Sequence, residues 1–508
     1  MADHASKSGI VRWSHTLHQA RLLAVLVCAS VAPTLSNAQS TSLVRRDTTV
    51  KSFDGREMRG EVLELTVPER HARPAKTLKV GALRFPAATA NSGKPIVFLM
   101  GGPGIPGSVM APIPPYFTLF QKLRDLGDVI IVDQRGIGLS TPHLECPAKG
   151  SLPPDAFVET DRLVSFLRDQ VSICVAVQRT KGIEPTAYNT VESANDVDAL
   201  RKALKVDKVD LVAFSYGTRW ALSIADRHPT HVGRMVLQGV NGPGLVVKRP
   251  SGVSRKLSRI NTLLKADSAW GTTVDLTSAA QRARTRLASS PTTVTIADRR
   301  TGAQTRVLVG REGLDAIVAL SLDDARLPAL ITSVANGDDR LLARFVEASW
   351  NGFASNPVAV MPRAVNCAAD RPLTRWTLVD VESKTAPFGE PIDNAFLRSR
   401  FCTSIGYVGK TTEFSRTFRS SIPALLLTGA LDATNPIENA NDVARNLSGA
   451  TMLEIGNAAH EALPIDAVQQ VVVDFLKGAN VRGRTISASV PRFPSLAEAL
   501  QPQPRRGP

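Results

Sequence analysis

Aromatic residues are scarce in this chain, at 5% of 508 residues. Its basic residues are numerous enough to give a formal net charge of +15, but they are scattered along the sequence. Nucleic-acid-binding domains usually concentrate basic side chains on one face and carry a recognisable motif, and neither feature is present. The charge therefore indicates a solvated basic surface, and we expect no nucleic-acid partner.

Cysteine is also rare, with five residues in the chain. None has the spacing to a second cysteine or histidine that a zinc site requires, so the sequence predicts no metal. Cys28 lies in an N-terminal apolar run, which leaves four cysteines in the rest of the chain. Four cysteines allow three disulfide pairings. Pairing of sequence neighbours, which we favour, joins Cys146 to Cys174 and Cys367 to Cys402.

Long hydrophobic runs are missing after the N-terminus. Residues 22–31 form a short apolar run between Arg21 and a segment of small residues that ends at Ala38. This pattern is typical of a signal peptide, and the run is about half the roughly 20 residues that a spanning helix needs. The sequence therefore predicts a signal peptide at residues 1–38 and an exported protein, periplasmic or secreted, without stable membrane insertion after the signal is removed.

Short apolar runs alternate with stretches of helical periodicity in most of the remaining sequence. The runs predict strands at 61–67, 77–85, 95–100, 129–132, 209–214, 423–428 and 451–455, and the periodic stretches predict helices at 190–204, 437–447 and 467–476. Short buried strands that alternate with helices indicate a mostly parallel sheet covered on both faces. The expected class is therefore α/β.

The alternation is lost between residues 244 and 419, where helical runs at 313–322 and 339–350 mix with loops. This stretch predicts a mainly helical cap, inserted between the two core segments 39–243 and 420–479. The last segment, 480–508, is rich in Pro, Arg and Ser, and predicts a flexible tail.

Residues 213–217 (AFSYG) follow a predicted strand and open a predicted helix. A serine at such a turn is exposed at the edge of the sheet, and the turn requires small residues two positions before and after it. Gly217 meets this requirement, and Ala213 stands where glycine is commoner. Ser215 is therefore the candidate nucleophile, although an ordinary serine in a strand–helix loop would give the same short motif.

A serine nucleophile needs a base, and the base needs an acid that orients it. His460 follows the strand at 451–455 and Asp432 follows the strand at 423–428, so both lie at the carboxyl edge of the sheet. His143 also follows a strand and remains an alternative base, and Asp442, inside a predicted helix, is a weaker candidate acid. The order Ser, Asp, His is that of the α/β-hydrolase fold.

The oxyanion of a tetrahedral intermediate needs fixed N–H donors. The backbone N–H of Tyr216, directly after the nucleophile, is the expected first donor. The second is expected from Gly102, in the segment GGPG at 101–104 that follows the strand at 95–100. That segment lacks the Gly-Lys-Ser/Thr ending of a phosphate loop.

Taken together, these segments resemble the proline iminopeptidase and tripeptidyl aminopeptidase group of α/β-hydrolases. The matching segments are GGPG at 101–104, DQRGIGLS at 133–140, SYGT at 215–218 and GALDATNP at 429–436 with His460. The resemblance covers roughly residues 55–240 and 420–475. It implies an α/β-hydrolase fold with Ser215, Asp432 and His460 as catalytic residues and Gly102 and Tyr216 as oxyanion donors.

The chain departs from this group in Met100, where histidine is usual. The resemblance also implies cap carboxylates that bind a substrate amine, and no motif chooses among the cap acids Asp370, Glu382 and Glu390. The resulting prediction is an exported serine hydrolase that needs no cofactor and cleaves amide bonds of short peptides in an aminopeptidase-like manner. The alternatives are a carboxylesterase or lactonase acting on small-molecule esters, and a catalytically inactive binding protein of the same fold.

Overall fold

The computed structural model describes residues 42–89, 93–148, 150–245, 248–355, 358–369, 376–398, 401–407, 414 and 418–501. Their strands are β1 Leu43–Lys51, β2 Glu57–Pro68, β3 Thr77–Phe85, β4 Ile96–Leu99, β5 Val129–Val132, β6 Glu145–Cys146, β7 Val209–Phe214, β8 Val232–Gln238, β9 Thr292–Ala297, β10 Gln304–Val309, β11 Val358–Ala359, β12 Ala424–Gly429, β13 Ala450–Gly456 and β14 Ile486–Ser487.

Ten of these strands form one sheet in the order β1-β2-β3-β5-β4-β7-β8-β12-β13-β14. The pairs β1–β2, β2–β3 and β3–β5 are antiparallel. From β5 to β14 every neighbouring pair is parallel. The prediction of a mostly parallel sheet is therefore confirmed.

Every residue of the central strands β4, β5, β7 and β12 is buried. Alternate residues of one strand enter different cores: Val97 and Leu99 belong to one cluster, and Ile96 and Phe98 to another. Because successive side chains of a strand point to opposite faces, the sheet has a hydrophobic core on each face. Burial on both faces explains why these strands appear in the sequence as unbroken apolar runs.

The helices are α1 Pro114–Arg124, α2 Thr160–Thr180, α3 Thr190–Ala203, α4 Tyr216–Arg227, α5 Pro250–Lys265, α6 Leu276–Ser289, α7 Arg311–Leu320, α8 Leu327–Ala335, α9 Arg340–Ser355, α10 Met361–Ala368, α11 Trp376–Ser383, α12 Ile392–Arg398, α13 Phe401–Ile405, α14 Ile437–Ala444, α15 Asp466–Leu476 and α16 Leu496–Ala499. None of the described helices has both the length and the hydropathy needed to cross a membrane.

Helices α5–α13 lie between β8 and β12 in the chain, where the sequence predicts a cap. Helices α5–α9 share a hydrophobic core that includes Leu257, Ile317, Leu330 and Val346. Buried residues of α10 and α13 belong instead to the hydrophobic core on one face of the sheet. This stretch also contains the antiparallel hairpin of β9 and β10, which the sequence analysis did not predict. The exact boundaries of the cap, 244–419, remain a prediction.

Two disulfides occur within the part of the chain that the structure describes. Cys146 on β6 is bonded to Cys174 on α2, and Cys367 on α10 is bonded to Cys402 on α13. Both bonds join the sequence neighbours that the pairing prediction names, so that prediction is confirmed.

The expectation of a flexible tail is wrong for residues 480–501. Ile486 pairs with Ile455 at the edge of the sheet, and the side chains of Val481 and Phe493 are buried. The apolar residues of this segment therefore bind it to the sheet and to the helical insertion despite its polar composition. Residues 502–508 and the predicted signal peptide at 1–38 lie outside the described residues.

Candidate active site

Ser215 occupies the sharp turn between β7 and α4. Its φ of 54° and ψ of −124° place a residue with a side chain in a region that favours glycine. Such backbone strain costs on the order of 1–3 kcal/mol and is common at functional sites. A Cβ atom at Gly217 would lie 2.1 Å from the carbonyl oxygen of Leu99, so only glycine fits there. Ala213 is fully buried at the end of β7, as expected for a small residue at this turn.

His460 lies between Ser215 and Asp432. Its Nε2 is 2.9 Å from Ser215 Oγ, and its Nδ1 is 2.9 Å from Asp432 Oδ2. An ionised carboxylate only accepts hydrogen bonds, so Nδ1 carries a proton and, in a neutral ring, Nε2 accepts the proton of the serine hydroxyl. The structure thus brings the three predicted side chains into one hydrogen-bonded chain.

Asp432 is held rigidly at the end of β12. Its Oδ1 accepts hydrogen bonds from the backbone N–H groups of Thr434 and Asn435 at 2.9 and 2.8 Å. Its side chain is fully buried, whereas that of His460 is 13% exposed. Two backbone N–H groups therefore fix the orientation of the carboxylate, whose other oxygen contacts the imidazole.

The alternative base and acid lie elsewhere. His143 Nε2 donates to the carbonyl oxygen of Gly138 at 2.9 Å on an exposed loop. Asp442, on α14, forms an ion pair with Arg445. Neither side chain joins the hydrogen-bonded chain of Ser215.

Gln238, at the end of β8, supports the histidine loop and was missed by the sequence analysis. Its Nε2 donates to the carbonyl oxygen of His460 at 2.7 Å, and its Oε1 accepts from the N–H of Ala462 at 3.3 Å. The ring of Phe214 lies 4.9 Å from the imidazole ring and limits its movement. A polar residue that ends a buried strand was the available signal for this role.

The DQRG segment supports the residue that follows the nucleophile. Gln134 Nε2 donates to the hydroxyl of Tyr216 at 2.7 Å, and Arg135 pairs with Asp196 on α3 at 2.6 Å. Asp133 accepts from the N–H groups of Ser108 and Leu139 at 2.9 and 2.8 Å. The segment therefore stabilises the loops around the site and does not itself reach Ser215.

A cavity of about 230 Å³ adjoins Ser215. The predicted oxyanion donors Gly102 and Tyr216 both line it. Met100 stands where the proline iminopeptidase and tripeptidyl aminopeptidase group usually has histidine, and it is buried in the core on one face of the sheet. The loop at 101–104 is therefore anchored by apolar packing where a histidine would have offered hydrogen bonds.

Of the three cap acids named from the sequence, the two that the structure describes lie in ion pairs. Glu382 pairs with Arg249, and Glu390 pairs with Arg398 at 2.7 Å. Neither lines the cavity at Ser215. Asp370 lies outside the described residues.

Comparison with known proteins identifies the family of the chain. Residues 94–467 match the sequence model of the α/β hydrolase fold family. The chain belongs to this family. Curated relatives of this α/β-hydrolase include the serine protease Hip1 of Mycobacterium tuberculosis H37Rv, 30% identical over 189 residues (35% of this chain and 36% of the relative). Another is the proline iminopeptidase of Arabidopsis thaliana, 27% identical over 165 residues (32% of this chain and 31% of the relative).

The match thus spans about a third of the length of each of these relatives. Among solved structures, an esterase from Thermogutta terrifontis aligns with a TM-score of 0.35 and 14% identity, covering 85% of this α/β-hydrolase and 98% of that chain.

Proposed function

We propose that this α/β-hydrolase is a serine hydrolase that acts through an acyl-enzyme on Ser215. The observation that carries the proposal is the pair of 2.9 Å contacts that His460 makes with Ser215 and Asp432. A serine hydroxyl is a weak nucleophile unless an adjacent base accepts its proton, and this arrangement supplies the base and its orienting acid.

In the proposed reaction, Ser215 Oγ attacks the substrate carbonyl carbon while its proton passes to His460 Nε2. The N–H groups of Gly102 and Tyr216 stabilise the negative oxygen of the tetrahedral intermediate. Its collapse breaks the bond to the leaving group, which receives the proton from Nε2. A water molecule then attacks the acyl-enzyme, its proton passes to His460, and release of the acid returns that proton to Ser215.

Short peptides are the proposed substrates, cleaved at an amide bond. The relatives named serine protease and proline iminopeptidase support this choice. The cavity beside Ser215 favours small substrates, because its volume of about 230 Å³ is below the 300–1,000 Å³ usual for ligand pockets.

The resemblance implies an aminopeptidase, but the described carboxylate in the cavity, Asp393, has Lys248 3.5 Å away. We therefore propose peptide hydrolysis that does not require a free amine.

Export forms part of the proposal. The N-terminal pattern at residues 1–38 and the two disulfides support it, since disulfides persist mainly in oxidising compartments. N-terminal sequencing of the protein from the periplasm or the medium should begin at Gln39. Full-length protein retained in the cytoplasm would contradict export.

Labelling with a fluorophosphonate probe tests the nucleophile. The wild-type protein should react, and Ser215→Ala should not. His460→Ala should lower kcat/KM by about 10⁴-fold, because the base is lost. His143→Ala is the matched control and should retain activity, since His143 lies on an exposed loop. Absence of labelling in the folded wild-type protein would favour an inactive binding protein.

A substrate pair separates a peptidase from an esterase. Tripeptide anilides, with the amine free or acetylated, are compared with a short acyl ester. We expect turnover of both anilides at comparable kcat/KM. Turnover of the ester alone would support a carboxylesterase. A strong preference for the anilide with a free amine would support an aminopeptidase.

A further inference from the structure

The cavity at Ser215 is lined by more cationic than anionic groups. Among the described residues, Arg219, Lys248 and Arg363 line it together with a single carboxylate, that of Asp393. A surplus of positive charge in a partly enclosed space attracts anions, because low-dielectric walls concentrate the field. The charge of the cavity is therefore the opposite of what a site for a substrate amine requires.

Arg363, on α10, stands out among these cations. Within the part of the chain that the structure describes, it forms neither an ion pair nor a hydrogen bond, although it is partly buried. Burial lowers the pKa of Arg363, and the charge of Asp393 opposes this effect. The guanidinium nevertheless remains charged at neutral pH. Its five N–H donors are available to a ligand, and a partly desolvated cation gains stability when a counter-ion binds.

The other two cations are held in place at the cavity wall. The guanidinium of Arg219 stacks on the ring of Tyr216 at 4.8 Å. The backbone of Lys248 is fixed on both sides by the buried Asn394, whose amide accepts from its N–H at 2.9 Å and donates to its carbonyl at 2.8 Å. The guanidinium of Arg219 and the backbone of Lys248 are thus preorganised, which lowers the entropic cost of binding a ligand. The ammonium of Lys248 lies 3.5 Å from the carboxylate of Asp393.

Arg363 also lies where two cavities adjoin. A second cavity of about 500 Å³, between α2 and α9, shares Leu320, Phe353 and Arg363 with the cavity at Ser215. Arg363 and Ser215 therefore line one cavity, and a single small substrate can contact both.

We propose that the cavity is a carboxylate subsite, in which Arg363, assisted by Arg219 and Lys248, binds an anionic side chain of the substrate while Ser215 attacks its carbonyl. The substrate class is therefore an acidic acyl donor, such as a glutamyl peptide. This inference rests on the proposed function for the catalytic step, but the binding of the carboxylate does not depend on it.

Two isosteric substrates test the inference. In N-acetyl-glutaminyl anilide, an amide NH₂ replaces one carboxylate oxygen of N-acetyl-glutamyl anilide. The ratio of their kcat/KM values therefore measures the effect of the negative charge on the substrate side chain. The wild-type enzyme should prefer the glutamyl substrate by about tenfold or more, and Arg363→Met should reduce this ratio by about tenfold to a hundredfold. Asp393→Asn should raise the ratio, since it removes the opposing carboxylate. A wild-type enzyme that prefers the glutaminyl substrate would overturn the proposal.

The matched control is Arg398→Met, which removes a cap cation that pairs with Glu390 and does not line the cavity. Its ratio should equal that of the wild-type enzyme. An unchanged ratio in Arg363→Met, with normal labelling of Ser215 as proof of folding, would contradict the subsite. Arg363→Lys should retain part of the preference.

A binding measurement separates failure of the subsite from failure of the proposed function. Calorimetry compares the monoanion glutaramate, which carries one carboxylate, with the neutral diamide glutaramide on the full-length Ser215→Ala protein, which needs no catalysis. Binding of glutaramate that is stronger than that of glutaramide and is lost in Ser215→Ala/Arg363→Met supports the subsite even if no substrate is turned over. Absence of this difference overturns the subsite and leaves the serine chemistry untouched.

Discussion

Gly239 lies against the imidazole ring of His460. Its φ is 64°, and a Cβ atom there would lie 3.0 Å from His460 Cε1 and 3.3 Å from Nδ1. We expect Gly239→Ala to displace the ring and to lower kcat by about 10²-fold, because a shift of about 1 Å in a catalytic group has costs of that order. Steady-state kinetics with any turned-over substrate measures the effect.

Gly302 provides the control for this substitution. Its φ is 72°, and a Cβ atom would have no neighbour within 4 Å. Gly302→Ala therefore introduces comparable backbone strain without a steric contact and should keep kcat. Equal kcat in the two variants would show that the ring tolerates the methyl group.

At the residue scale, the positions of the candidate residues could be predicted where the backbone determines them. Ser215, Asp432 and His460 each follow a strand of a parallel sheet, so their convergence at one edge follows from the order of strands and helices. The orientation of Arg363 into the same cavity could not be predicted. It depends on how α10 packs against the sheet, and no periodicity or motif in the sequence encodes that packing.

At the scale of elements, the buried pair of Arg135 and Asp196 connects the loop after β5 to α3. Both side chains are almost fully buried, and their closest atoms lie 2.6 Å apart. We expect Asp196→Asn to lower the free energy of unfolding by about 3–5 kcal/mol, because the arginine would remain buried without its counter-charge. Denaturant unfolding measures the change. Asp169→Asn is the control: it breaks an exposed pair with Arg168 and should cost less than about 1 kcal/mol.

The same pair predicts a dependence on pH. Burial alone would raise the pKa of Asp196, but the charge of Arg135 and hydrogen bonds from His71 and Arg135 outweigh it and hold the pKa below its usual value. A depressed pKa in the folded state stabilises the fold above the unfolded pKa of about 4, and this contribution is lost as the pH falls through the folded value. The difference in stability between wild type and Asp196→Asn should therefore shrink below about pH 4.

Elements were predictable to the extent that burial leaves a sequence signal. The strands predicted at 129–132 and 209–214 coincide with β5 and β7, because all their residues are buried and the apolar runs have sharp ends. The hairpin of β9 and β10 has one exposed face and lies among helices, so its apolar residues give a weaker pattern. β14 has only two residues and is too short for any periodicity.

At the scale of the whole molecule, the site combines a rigid sheet with a helical wall. Ser215, Asp432 and His460 follow strands of the sheet, whereas much of the cavity wall lies on α10 and α12. The disulfide of Cys367 and Cys402 fastens α10, which carries Arg363, to α13. We therefore expect this bond to influence substrate binding more than the chemical step.

The double variant Cys367→Ser/Cys402→Ser tests this division. The two disulfides span 28 and 35 residues, so loss of either should lower the free energy of unfolding by a similar amount, about 4 kcal/mol in the chain-entropy view. Removing Cys367–Cys402 should also raise KM several-fold with a smaller change in kcat, since Cys367 lines the cavity. Cys146→Ser/Cys174→Ser is the matched control and should keep KM, measured at a temperature where both variants are folded. An equal rise in KM in both would mean that general loosening, and not the position of α10, governs substrate binding.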